Sequence, residues 1–333
     1  MKAAPAADRA DGFVRTVLAD RTDRDFGVVY TPEHLIIDSP YIAAVFPDIH
    51  LYDVGAAVEE MKECRAAGVG LVLDAMPCAS GRAVDRLALI SERSNVDVIA
   101  ATGLHHDRYY GPDHWSGRVG IQALVELFVA DLTRGIDLYD CTGPLVQRTA
   151  HRAGVIKVAT SGVSPDARDL RNLEAAARAS VLTGAPILTH CEKGTGAMSQ
   201  VERLCEWGVP PSTVILSHVD KTKDLHYLRD IAQTGAILEF DQALRSARDG
   251  AHGFTATAVV SLTGQGFGSQ IVVGTDGARR TLWRSLGCQP GLAWLAAEFP
   301  KILRSAGLEQ HDIQRVMKQN AATALAWRQL AGT

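Results

Sequence analysis

The stretch "GVIKVATSG", residues 154–162, sets Lys157 among apolar, mostly β-branched neighbours. Burying an ammonium is costly unless it is paired or neutralised. Lys157 must therefore point from the strand end toward a polar site, or be chemically altered. Similar groups close other apolar runs. "FGVVYT" leads into Glu33 and His34, "APILTH" ends in His190, "TVILSH" in His218 and "QIVVGTD" in Asp276. Imidazole nitrogen and carboxylate oxygen are ligands for divalent metals of the zinc type. A buried lysine amine also suits Schiff-base chemistry. Taken singly, each residue has a plainer role. A strand-end His is commonly a hydrogen-bonded structural residue, and a strand-end Asp often caps the next helix. Taken together, they recur at intervals of one or two βα units, which is the spacing that brings strand ends to one place in a barrel.

The elements that must position these groups alternate. Strands are expected at 26–31, 69–75, 96–102, 154–160, 185–190, 213–218, 236–241 and 270–276. Between them, segments such as 54–68, 166–184 and 196–209 repeat apolar residues at helical spacing, and the first two end in Gly. Continuous apolar strands alternating with helices predict a parallel sheet covered on both faces. Eight such units predict an α/β protein of the (β/α)8 TIM-barrel class. A doubly wound sheet is the runner-up, but no GxGxxG follows the first strand. "FVRTVLAD" (13–20) reads as a short N-terminal β extension. The third crossover, roughly 103–153, is long, contains "HHDRYYGPDHW", and reads as functional or as a lid. Residues 1–11 read as a mobile lead and residues 12–333 as a single barrel domain.

Composition narrows the classes. The 333 residues are 47% hydrophobic and 22% charged, with net charge −4. That is ordinary globular composition and offers no basic surface for nucleic acid. No run is long enough to span a membrane, and the start lacks the apolar core of a secretory signal. The expected location is cytoplasmic. Cys64, Cys78, Cys141, Cys191, Cys205 and Cys288 form no CxxC pair and read as reduced, mostly buried residues. Cys191, next to His190, is a minor candidate for a nucleophilic thiol.

"GVIKVATSG", "ILTHCEKGTGAMSQVERL", "VILSHVDKTKDLHYLRDIAQTGAILEFD" and "IVVGTDGARRTLWRSLG", in that order, resemble segments of the phosphotriesterase family of the amidohydrolase superfamily, which includes phosphotriesterase-like lactonases. The similarity runs from about residue 12 to 328. It implies a (β/α)8 barrel with two divalent metals, usually zinc, and a Lys157 carboxylated by CO2 to a bridging carbamate. By the same match, His190 and His218 hold the second metal, and His34 and Asp276 the first. The chain departs from the family at "TPEHL", where Pro32 stands in place of the first His of a His-x-His pair. A proline cannot ligate, so the count of metals (one or two) stays open. Zn is the expected metal, with Mn, Co or Fe as alternatives. His105, His106 and Glu33 are the candidate substitutes for the missing ligand.

The expected reaction is metal-assisted hydrolysis of an ester, lactone or phosphoester, with Asp276 as catalytic base. Arg245, Arg248, Arg279, Arg280 and Arg284 follow strands 7 and 8. Guanidinium forks there would favour an anionic small-molecule substrate. Arg245, Arg279 and Arg280, with Tyr110, are the substrate-binding candidates; Tyr109 and Trp115 are further candidate pocket walls. A homodimer is compatible with this reading. The alternatives are a metal-depleted, inactive barrel that binds a small molecule, and a Lys157 Schiff-base lyase.

Overall fold

The computed structural model describes residues 12–247, 250 and 253–328. The expected lead, residues 1–11, lies outside them. Two short strands, β1 (Val14–Arg15) and β2 (Asp20–Arg21), pair antiparallel. The single strand expected over 13–20 is thus a hairpin. Thr16 breaks it: its hydroxyl donates to Ala19 O (2.8 Å) and accepts from Ala19 N–H (3.1 Å), folding a turn in place of a strand.

Eight parallel strands follow: β3 (Val28–Glu33), β4 (Val69–Asp74), β5 (Asp97–Gly103), β6 (Ala153–Thr160), β7 (Ile187–Cys191), β8 (Val214–Ser217), β9 (Ile237–Phe240) and β10 (Ile271–Val273). Each pairs with its neighbour in sequence. Backbone and side-chain bonds draw β10 against β3. Asp276 N–H donates to Pro32 O at 3.2 Å, and Thr275 N–H donates to Glu33 at 2.7 Å. The result is the expected (β/α)8 barrel. Val29, Leu71, Ile99, Val155, Leu188 and Val272 fill its interior with Val14 and Leu325, so the barrel is a packed core.

The helices sit where the periodicity places them, and their ends show why. Ala167–Thr183 begins at Asp166, which accepts from Asp169 N–H at 2.8 Å within a capping box. It ends at Gly184 with φ 81°, the left-handed geometry glycine adopts freely. Gly103, at φ 101°, ends β5 directly beside Lys157. A Cβ there would lie 1.9 Å from Lys157 O, so only glycine lets β5 approach the lysine strand.

The third crossover is pinned by a buried ion-pair cluster. Arg82 pairs with Asp131 (3.0 Å) and Asp140 (2.9 Å), and Arg148 pairs with Asp131 (2.7 Å). No helix among the described residues is long and apolar enough to cross a membrane.

Candidate active site

The five strand-end groups meet. His34, Lys157, His190, His218 and Asp276 all line one cavity of about 300 Å³ at the C-terminal ends of the strands. His105, Tyr109, Lys221, Arg245 and Arg279 join them, and Ile37, Ile49, Met76 and Ala278 supply apolar wall. His218 and Asp276 have φ of 67° and 46°. Positive φ is uncommon outside glycine and costs backbone strain that clusters at functional sites.

Lys157 is 2% exposed, and its Nζ has no hydrogen bond among the described residues. Burial lowers its pKa to about 8, against the pull of Asp276, Glu239, Cys191 and Asp241. About a tenth of the amine is then neutral and nucleophilic at pH 7, far more than for a free lysine.

The imidazoles are set by their partners. His218 Nδ1 bonds Asp241 and lies 3.9 Å from Asp276 Oδ2, which leaves Nε2 without a protein partner among the described residues. His190 Nε2 lies 3.1 Å from Glu192 Oε2, which leaves Nδ1 for the cavity. The two rings stand edge to face, 4.6 Å apart. Burial drives the pKa of His190 down to about 3, so it is a neutral ligand-type imidazole. His34 Nε2 lies 3.4 Å from Asp276 Oδ1, while its buried Nδ1 has no partner. Burial pushes the Asp276 carboxyl upward, but His218, Arg245 and His34 outweigh it and hold the group well below its usual range.

These residues fit a divalent cation. Imidazoles, a carboxylate and an unbonded amine, all ligand-type groups, line one cavity. Among the described residues, His218, Asp241 and Asp276 bring ligand atoms within 4.8 Å of one another. Asp241 was not among the expected residues. It ends β9's run "AILEFD", so the strand-end rule that found the others also points to it. Its carboxylate orients the His218 ring, as partners of metal-binding imidazoles do.

Glu33 turns away from the cavity. Its carboxylate accepts Thr275 N–H (2.7 Å) and Gly277 N–H (3.3 Å) and bonds the Thr275 hydroxyl (2.6 Å). It therefore splints the loop that presents Asp276. Burial raises its pKa to about 8 against those bonds.

Some expected contacts fall elsewhere. Tyr110 does not line this cavity; its hydroxyl accepts His105 N–H (2.7 Å) and donates to Cys78 O (3.1 Å). Its neighbour Tyr109 takes the wall position. Arg280 donates to His50 O at 3.0 Å and lies over the Tyr52 ring, outside the cavity. Arg284 is largely exposed beside Glu63. Trp115 donates to Cys141 O within the crossover. Arg248 lies outside the described residues. Arg245 reaches the site but spends its donors on Thr275 O (2.7 Å), Asp276 O (2.7 Å) and Asp276 Oδ2 (3.1 Å). Cys191 is buried, and burial pushes its thiol up to about 12, so it is no nucleophile.

The sequence profile of the phosphotriesterase family matches residues 13–325. The chain belongs to the phosphotriesterase family. It is a hydrolase acting on ester bonds. A phospho-furanose lactonase of Mycoplasmopsis agalactiae is 31% identical to this family member over 326 residues, 95% of this chain and 92% of that protein. An uncharacterized protein of Mycoplasma pneumoniae is 35% identical over 233 residues, 69% of this chain and 66% of its own length. The crystal structure of an amidohydrolase from Mycoplasma synoviae superimposes with a TM-score of 0.90 at 29% identity, covering 96% of this chain and 93% of that one.

Proposed function

We propose that this chain is a divalent-metal-dependent hydrolase of a lactone or ester bearing an anionic group such as phosphate. The observation that carries the proposal is one cavity that holds both kinds of group. His34, Lys157, His190, His218 and Asp276 line it together with the cationic Lys221 and Arg279. The name of the phospho-furanose lactonase relative supports the same substrate class.

His190 and His218 would hold one metal, and His34 and Asp276 the other, with Lys157 as its CO2-derived carbamate between them. Zinc suits this mixed nitrogen and oxygen set, and Mn, Co or Fe are the alternatives. A bound divalent cation lowers the pKa of water and polarises the scissile carbonyl or phosphoryl oxygen. Asp276, kept ionised by its neighbours, accepts the proton of the attacking water at a carboxylate oxygen. Arg245 clamps that carboxylate so that it meets the water in a fixed orientation. Lys221 and Arg279 orient the anionic group, and Tyr109 covers the apolar part of the substrate.

Metal analysis of protein purified without chelator, paired with hydrolysis of phosphorylated and unphosphorylated lactones, tests this. Bound metal and faster turnover of the phosphorylated series support it. A metal-free protein inert to every ester and lactone would instead indicate the small-molecule-binding barrel.

Arg279→Ala should raise KM for the anionic substrate about tenfold. That is the lower end of the roughly 1.5–3 kcal/mol range for a charge-assisted bond, because Arg279 is exposed to water. kcat should change little. Unchanged kinetics toward every anionic substrate would return Arg279 to the surface.

A further inference from the structure

The loops that follow β5 and β7 meet at Glu192. One oxygen, Oε2, does two things: it lies 3.1 Å from His190 Nε2, and it pairs with Arg108 Nη2. The next residue after Arg108 is Tyr109, which walls the cavity. Its ring stands edge-on to His105 at 4.5 Å, and His105 lies 5.4 Å from the His190 ring. A closed belt therefore runs Tyr109, His105, His190, Glu192, Arg108, and back along the chain to Tyr109.

The chemistry of the belt is directional. An ionised carboxylate only accepts hydrogen bonds, so His190 Nε2 must carry the proton. A neutral imidazole then has its lone pair on Nδ1, the nitrogen that Glu192 leaves for the cavity His190 lines. Without Glu192, both tautomers and both ring flips become accessible, and only one arrangement presents the correct nitrogen. Arg108 holds Glu192 by a charge-assisted bond and belongs to the loop that carries Tyr109.

We propose that Glu192 is a positioning residue that fixes the His190 tautomer, and that Arg108 ties this setting to the substrate-facing loop. The proposal deepens the metal-hydrolase reading and rests on His190 being a ligand. Partners of ligating imidazoles are typically worth about 10–100-fold in metal affinity.

Two measurements test it on the full chain. Long-range ¹H–¹⁵N spectra of the metal-free protein read the His190 tautomer. Competition with a chromophoric chelator reads zinc affinity. The wild type should show His190 protonated at Nε2. Glu192→Ala should show mixed tautomers and zinc binding weaker by about 10–100-fold. Glu192→Gln, whose amide oxygen still accepts, should recover the tautomer and most of the affinity; a residue needed only for folding would not separate the two variants this way. Arg108→Ala, a change at a partly exposed side chain, should weaken zinc by a smaller factor. An unchanged tautomer and wild-type zinc affinity in Glu192→Ala would overturn the role of Glu192. If that variant does not fold, failure of Glu192→Gln to hold the Nε2–H tautomer would overturn it. Unchanged affinity in Arg108→Ala would overturn the tie to the loop. If the wild type binds no zinc, it is the metal reading that fails, and the tautomer measurement still decides the role of Glu192.

Discussion

Lys157→Ala is expected to bring hydrolysis down to background and to release metal on dialysis. Lys157 is buried at the convergence of His190, His218, His34 and Asp276, and among the described residues its Nζ has no hydrogen bond. Left as an ammonium, it would add positive charge to a site meant for cations. As a carbamate it would add an anionic oxygen ligand where the other groups already point. Carboxylation needs the neutral amine, and burial lowers the pKa of Lys157 to about 8, within reach of physiological pH. Truncation to Ala would remove that proposed ligand and leave a void of side-chain length in the cavity. Acetate or propionate supplied with metal should enter that void and restore part of the rate. The measurements are metal content by elemental analysis and the rate on the best lactone, each with and without the added acid. A mutant with wild-type metal content and wild-type rate would remove Lys157 from the site.

The barrel and the five converging groups are legible in the sequence because strand ends carry the chemistry and periodicity fixes the strands. Lys157, His190, His218 and Asp276 each terminate or interrupt an apolar run, and the fold needs only to bring those ends together. Residues that act sideways are harder to read. Asp241 and Glu192 work by hydrogen-bonding an imidazole from a neighbouring strand or the same loop, and nothing in their spacing names the partner. The aromatic wall fails for a related reason. Tyr109 and Tyr110 are adjacent and chemically alike, and a local 3-10 turn over Asp107–Tyr109 decides which faces the cavity. The arginines after β9 and β10 differ in the same way. Arg279 reaches the cavity while Arg280 turns back to His50 O, a choice made by loop conformation that composition does not encode.

Metal titration of the apo-protein should show unequal sites, with one tight equivalent and a second much weaker. Lys157, His190 and His218 are intact in type, whereas Pro32 removes a ligand from the site of His34 and Asp276. The structure closes off the three substitutes. Glu33 is spent on Thr275 and Gly277. His106 Nδ1 accepts Arg108 N–H at 3.2 Å, which turns it into its own loop. His105 lines the cavity, but its Nδ1 accepts His106 N–H at 2.7 Å. Its Nε2 must then carry the proton and can only donate. The weaker site is also opposed by charge, since the Arg245 guanidinium lies 3.1 Å from Asp276 Oδ2. Pro32→His puts a donor back. The β3–β4 register shifts between Tyr30 and Glu33, so the alternation that sets Val29 inside does not carry through. Position 32 is two residues from His34, which lines the cavity, and extended backbone gives the two side chains one face. A direct ligand weighs more than a supporting partner, whose loss costs about 10–100-fold, so the weaker site should tighten by more than a hundredfold. Calorimetric titration of both proteins reads this directly, and circular dichroism confirms that the substituted β3 end still folds. Two equally tight equivalents in the wild type would count against the argument, because some group outside His34, Lys157 and Asp276 would then complete the first site.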